Sequence, residues 1–303
     1  MKIIIIGVTG LIGSRLASSL IANGHQVTGL SRNPGRLSTS QPFLTDKIFW
    51  NGTDPQSLVR IIEGADVVVN LAGESIAGKR WTTGQKQKII TSRKTTTLAV
   101  AKAFSLSAKP PKTLIQASAT GYYKPASTGF ITESDGPGDH FLSEVCRVWE
   151  GAAAEVSKVA RLIIIRTGVV LDKKGGALPQ MIMPFRFFAG GHIGNGRQVI
   201  PWIHIQDEIE AIRFLATRST TSGVYNLTAP EPVTMKIFAK TTGKVLKSPS
   251  WLHVPGFALK ILMGEMAQEL LLDSYPVIPE RLLEEDFHFG FPSLENALNN
   301  LLK

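Results

Sequence analysis

The chain has 303 residues, 43% of them hydrophobic, and a net charge of +9, enough apolar material for a sizeable core in one large domain or two smaller ones. Its one cysteine, Cys146, excludes an internal disulfide and fits a reducing, cytoplasmic compartment. No apolar run reaches the ~18 residues of a membrane span, and Arg166 interrupts the stretch from Leu162 to Leu171. The basic residues are spread along the chain with no block of five or more like charges. The charge suits anionic ligands, but with no recognition motif the expectation is neither a nucleic-acid nor a membrane partner. A homodimer is compatible with the sequence.

The first 33 residues organise the rest. Ile3 to Ile6 form an apolar run fit for a buried strand, ending at Gly7. Glycines recur at Gly10 and Gly13, with Thr9, Leu11 and Ile12 between them. A helical pattern follows, in which Leu16, Leu20 and Ile21 share a face and Asn23-Gly24 is the stop. A second strand over 26–30 ends in Ser31-Arg32. This order opens a dinucleotide-binding βαβ unit. A pyrophosphate is anionic, a helix N-terminus offers free N–H groups, and glycine lets the backbone approach. An acid after the second strand would select NAD. Ser31 and Arg32 instead favour the 2′-phosphate of NADP(H).

Downstream, 33–46 is rich in Pro, Gly, Ser and Thr and predicts a loop, followed by a third strand over 47–50. Asp54-Pro55 signals a helix over 56–63. The run 65–73 predicts a buried parallel strand closing on a turn. Asn70, Leu71, Ala72, Gly73 and Glu74 therefore belong at the carboxyl edge where ligands bind. The helix expected over 85–105 has a solvated basic face, from which Arg93 stands out as able to reach the nucleotide. A fifth strand, 113–117, runs into Ser118-Ala119-Thr120-Gly121-Tyr122-Tyr123, a hydroxyl cluster placed for chemistry. A helix is expected over 140–158 and a sixth strand over 161–166, leading to Val169-Val170. From Lys173 glycine pairs and prolines break the rhythm. The expected architecture is α/β, a Rossmann-type doubly wound parallel sheet in 1–172. Residues 173–303 form a smaller substrate-side lobe interleaved with the last sheet elements.

With these motifs in view, the chain resembles the extended short-chain dehydrogenase/reductase superfamily, and most closely its atypical epimerase-family branch. The resemblance rests on GVTGLIG (7–13), SRNP (31–34), NLAGESIAGKRW (70–81), SATGYY (118–123), RTGVVL (166–171), GGHIGNGRQVIPWIHIQD (190–207) and GEMAQELLL (264–272). It implies NADP(H) lined by Gly7, Thr9, Gly10, Leu11, Ile12, Gly13, Ser31, Arg32, Leu71, Ala72, Gly73, Glu74, Arg93, Ser118 and Val170. Its function would be that of an oxidoreductase or nucleotide-sugar-epimerase-like enzyme of unknown substrate.

One departure matters. Reductases of that superfamily pair a Ser with Tyr-x-x-x-Lys on the helix after the fifth strand, the Lys lowering the Tyr pKa. Counted back from Glu150, those places hold Leu142 and Cys146, and neither side chain does that chemistry. Ser118 keeps the serine place. Tyr122 is the first candidate for the missing acid, with Tyr123, His140 and Lys79 as weaker ones. Cys146 suits packing more than nucleophilic attack, His204 structure or substrate lining, and Asp207 the cap of the helix it begins. No histidines fall at metal-site spacing, so no metal is expected. The alternative is a non-catalytic NADP(H) sensor or scaffold.

Overall fold

The computed structural model describes residues 1–33, Gly35, Leu44 and 46–303. Pro34 of the SRNP motif and most of the loop expected over 33–46 lie outside them. Seven parallel strands form the central sheet: β1 (Lys2–Ile6), β2 (Gln26–Ser31), β3 (Asp46–Phe49), β4 (Val67–Asn70), β5 (Thr113–Ala119), β6 (Arg161–Thr167) and β12 (Gly223–Leu227). Their spatial order is β12-β6-β5-β4-β1-β2-β3. The chain therefore winds outward from β1 to β3, returns, and fills the other side from β4, leaving a switch point between β1 and β4 where ligands bind in such sheets.

Strand periodicity explains the two packed layers. Ile3 and Ile5 join a core with Leu16, Leu20, Trp202 and Tyr225. Ile4 and Ile6 face the opposite side, with Leu58, Val100, Phe104 and Leu114. A four-isoleucine strand is thus apolar throughout because both faces are covered. The covering helices include α1 (Leu11–Ala22), α2 (Pro55–Ile62), α3 (Thr83–Leu106) and α4 (Phe141–Ala153). The helix expected over 140–158 is α-helical only to Ala153 and tightens into a 3₁₀ segment from Ala154 to Lys158.

After β6 come β7 (Val169–Asp172), β8 (Gly175–Gly176), α5 (Leu178–Arg186), β9 (Gly191–Ile193), β10 (Val199–Ile200), β11 (Trp202–His204) and α6 (Ile205–Thr217). Beyond β12 follow β13 (Val233–Thr234), α7 (Met235–Leu246), β14 (Leu252–Val254), α8 (Gly256–Met263), α9 (Glu265–Ala267), α10 (Glu280–Glu284) and α11 (Leu294–Leu302). β9 pairs with β14 and β11 with β7, so small parallel pairs tie distant segments together. Among the described residues no helix is long and apolar enough to cross a membrane.

Asp207 does not cap α6. The cap is His204, whose Nδ1 accepts from the Gln206 N–H at 3.0 Å. Its ring also stacks on Phe291, and burial presses its pKa down to about 4, so it stays neutral. Asp207 lies inside the first turn and accepts from the backbone N–H groups of Gly290 and Phe291. It therefore fastens the C-terminal segment to the start of α6, a long-range role that local cap spacing does not reveal.

Candidate functional site

At the β1 edge the backbone does the shaping. Gly7 has φ +87°, and a side chain there would stand 3.1 Å from the Ala72 nitrogen and the Leu71 carbonyl carbon. At Gly13 a Cβ would come 2.5 Å from the Gly7 carbonyl oxygen. The turn closes through Gly10 N–H to Gly7 O at 3.0 Å. Among the described residues, four helices have side-chain caps at their starts: Asp54 for α2, Thr82 for α3, His204 for α6 and Thr234 for α7. α1 has none, and no acid in its first turn. The first-turn N–H groups of Leu11, Ile12 and Gly13 are left without intrahelical acceptors, an arrangement suited to a phosphate.

The rest of the edge is polar and specific. Ser31 Oγ lies 3.4 Å from Thr9 Oγ1 and accepts from the Asn33 N–H. Arg32 is exposed at the end of β2, its stem against Gly52. At the end of β4, Asn70 Oδ1 accepts from Ala72 N–H, and its amide donates to Gln116 and Thr97. Ser92 accepts from the Glu74 N–H. Arg93 is 5% exposed. It donates to the Glu74 and Ile89 carbonyls, lies over the Trp149 ring and faces Gly73, while its Nε has no partner among the described residues. Burial holds its pKa down to about 10, against the pull of Cys146 and Glu74. Val170 is half-buried on β7, paired with Ile203. Glycine cradle, open helix start and orphaned guanidinium nitrogen together fit a dinucleotide.

The chemistry-bearing groups sit across three adjacent strand ends. Ser118 on β5 is in register with Arg166 on β6, which is in register with Asn226 on β12. Equal register in parallel strands puts the three side chains in one row on one face. Ser118 Oγ donates to Glu150 Oε1 at 2.5 Å. Arg166 holds the same carboxylate in a fork, Nε to Oε1 and Nη2 to Oε2, both 2.9 Å. Burial opposes the Arg166 charge, but the hydrogen bonds and attraction of Glu150 outweigh it and raise its pKa. The Tyr122 ring lies 3.4 Å from the guanidinium carbon, and its hydroxyl bonds to no described residue.

The weaker candidates are elsewhere engaged. Tyr123 is fully buried, its hydroxyl donating to Asn226 at 2.7 Å and accepting from Arg166 at 3.0 Å. Burial pushes its pKa up to about 12, so it fixes the row and is no acid. His140 Nε2 pairs with the Tyr275 hydroxyl at 3.1 Å, and burial lowers its pKa. Lys79 is exposed in the loop before α3. Leu142 packs on Gly121. Cys146 is buried, its thiol pushed up to about 11 by burial and by Glu150. Where α4 begins, Glu269 accepts from the N–H groups of Phe141 and Leu142. Sequence reasoning singles out neither Glu150 nor Arg166 as a functional residue. The available signal was a charged residue inside an apolar strand, which must find a partner.

A model of the NAD dependent epimerase/dehydratase family matches residues 3–228. The chain belongs to that family. A domain of unknown function, DUF1731, matches residues 254–301. The epimerase family protein YfhF of Bacillus subtilis is 38% identical over 304 residues, spanning 100% of this chain and 98% of that protein. The crystal structure of human epimerase family protein SDR39U1 with NADPH superposes with a TM-score of 0.90 at 34% identity, covering 99% of each chain. A nucleoside-diphosphate sugar epimerase from Corynebacterium glutamicum matches at TM-score 0.79 and 30% identity, over 100% of this chain and 58% of that one. The first two of these likenesses extend over essentially the whole of both chains.

Proposed function

We propose that this chain is an NADP(H)-dependent oxidoreductase or epimerase-like enzyme of the cytoplasm, acting on a small polar substrate held between the sheet edge and residues 173–303. Gly7, Thr9, Gly10, Leu11, Ile12 and Gly13 would hold the pyrophosphate, Ser31 and Arg32 the 2′-phosphate. Leu71, Ala72, Gly73, Glu74, Arg93, Ser118 and Val170 would line the remainder. When bound, NADP(H) supplies a hydride donor or acceptor. The NADPH in the human relative's structure supports this reading, as do the uncapped α1 start and Arg32.

The observation that carries a catalytic reading is the 2.5 Å bond from Ser118 to Glu150. With its hydrogen directed at the carboxylate, Ser118 Oγ keeps lone pairs for a substrate hydroxyl. On oxidation a substrate proton would pass to Ser118 as the Ser118 proton moves to Glu150; reduction runs the relay backwards. Arg166 fixes the carboxylate, and Tyr122, with a hydroxyl free of described partners, orients the substrate oxygen. Ser118 and Tyr122 are thus the catalytic residues, Glu150 acting through Ser118. Leu142 and Cys146 in the Tyr and Lys places favour the second reading, a non-catalytic NADP(H) sensor, because neither side chain can exchange a proton with a substrate near neutral pH.

Cofactor choice is tested by calorimetric titration with NADPH and NADH. Arg32→Ala should weaken NADPH by roughly 10- to 100-fold, the worth of one or so charge-assisted bonds, and leave NADH nearly unchanged. Equal loss for both cofactors would remove Arg32 from the 2′-phosphate site.

A further inference from the structure

The +9 charge is not distributed as the chain's spread of basic residues suggests. Residues 173–206 contain Lys173, Lys174, Arg186 and Arg197 and no acid. Residues 232–264 contain Lys236, Lys240, Lys244, Lys247 and Lys260 and no acid. The rest of the chain carries 24 basic and 24 acidic residues, so these two stretches hold the whole net charge. All nine basic side chains are exposed, and only Lys244 forms an ion pair among the described residues.

The fold brings the two stretches together. β14 pairs with β9, Leu252 N–H donates to Gly190 O at 3.1 Å, Ser248 Oγ donates to Phe185 O at 2.6 Å, and His192 stacks on His253. Phe187 and Phe188 lie between the first pair of these anchors and Trp251 between the second. Directly after comes α8, GFALKILM, an apolar helix with no buried residue. Phe187, Phe188, Trp251, Phe257, Ile261 and Leu262 are each 68% to 75% exposed. Soluble surfaces rarely collect so many large apolar side chains without an occupant.

We infer that this basic, apolar lobe docks peripherally on an anionic lipid surface. Lysines around exposed Trp, Phe, Ile and Leu match the charge of anionic headgroups while the apolar tips enter the acyl boundary. A second copy would set the same basic surface against itself, which like charge opposes. Nucleic acid would use stacking rings and arginines, whereas Ile261, Leu262 and the lysines dominate α8 and α7. The inference revises the expectation of no membrane partner. It does not depend on whether the sheet edge is catalytic.

The test is co-sedimentation with vesicles of two parts phosphatidylcholine to one part phosphatidylglycerol, against phosphatidylcholine alone, with Trp251 emission as a second signal. The full chain should pellet with the anionic vesicles, release on raising salt, and shift Trp251 emission to the blue. Lys240→Glu and Lys260→Glu should each weaken binding by roughly fivefold or more, and Phe257→Ser with Leu262→Ser should weaken it further. All four residues are exposed, and NADPH affinity should be unchanged in each variant as a control for folding. Equal failure to bind either vesicle would overturn the inference. So would vesicle binding untouched by these variants, a dimer that Phe257→Ser and Leu262→Ser dissociate without any lipid affinity, or salt-steep binding to a DNA duplex in place of vesicles.

Discussion

The two halves of the sheet edge are built by different means. At β1 and β4 the backbone makes the site: glycines that no side chain could replace, and a helix start left uncapped. At β5, β6 and β12 side chains make it: Ser118, Arg166 and Asn226 in register, clamped by Glu150 and Tyr123. The first half fits a ligand common to many proteins and depends on shape. The second depends on a charge pair that must stay whole. Loss of one partner there leaves the other charge buried, while a change at the glycine turn mainly alters what can approach.

That contrast predicts where substitutions act. The largest effect on stability should come from Glu150→Ala. It leaves Arg166, whose side chain is 5% exposed, without its carboxylate, a loss of about 3–5 kcal/mol readable in a urea melt, whereas Glu150→Gln keeps part of the bonding. A melt unchanged by Glu150→Ala would mean that the pair does not organise this edge. At the other half, Gly13→Ala should cut NADPH affinity by roughly 100-fold, equivalent to about two charge-assisted hydrogen bonds. The reason is that the added carbon would stand 2.5 Å from the Gly7 carbonyl and displace the turn. Unaltered affinity would show that the turn has slack.

A smaller effect sharpens the second half. Thr167, next to Arg166, donates to Glu208 at 2.9 Å. Among the described residues no cation pairs with this carboxyl, and burial raises its pKa from 4.5 to about 8, against the lowering pull of Thr167. Below pH 4.5 folded and unfolded chains both hold the proton. Between there and about pH 8 only the folded chain does, so its contribution to stability falls as pH rises, by up to about 1.4 kcal/mol per unit. Glu208→Gln should flatten that slope in denaturation midpoints; a slope that persists would assign it to other groups.

Much of the fold was legible because it rests on local patterns. The isoleucine run, the glycine spacing and the Asn23-Gly24 stop each belong to a short window, and the strands after them repeat the same grammar. Sequence positions also located Ser118 beside the gap left by Leu142 and Cys146. What could not be read locally was pairing across space. Glu150 on a helix looks like a solvated charge until β5 and β6 align Ser118 with Arg166. Asp207 looks like a cap until residues 290–291 return to it from the far end of the chain. Tyr123 looks equivalent to Tyr122 until Asn226 claims its hydroxyl. The segregation of charge was hidden differently: basic residues occur everywhere, and only the absence of acids from two stretches, joined by β9 and β14, reveals it.

The central claim is that a Ser118–Glu150–Arg166 relay stands where a Tyr/Lys pair is missing. Its most direct measurement is NADPH consumption by wild type, Ser118→Ala and Glu150→Gln over a panel of carbonyl compounds and nucleotide sugars, with NADPH affinity measured on the same preparations. Wild type should turn over at least one compound, whereas both variants should still bind NADPH and consume none. Turnover by either variant at the wild-type rate, or none by wild type across the panel, would contradict it.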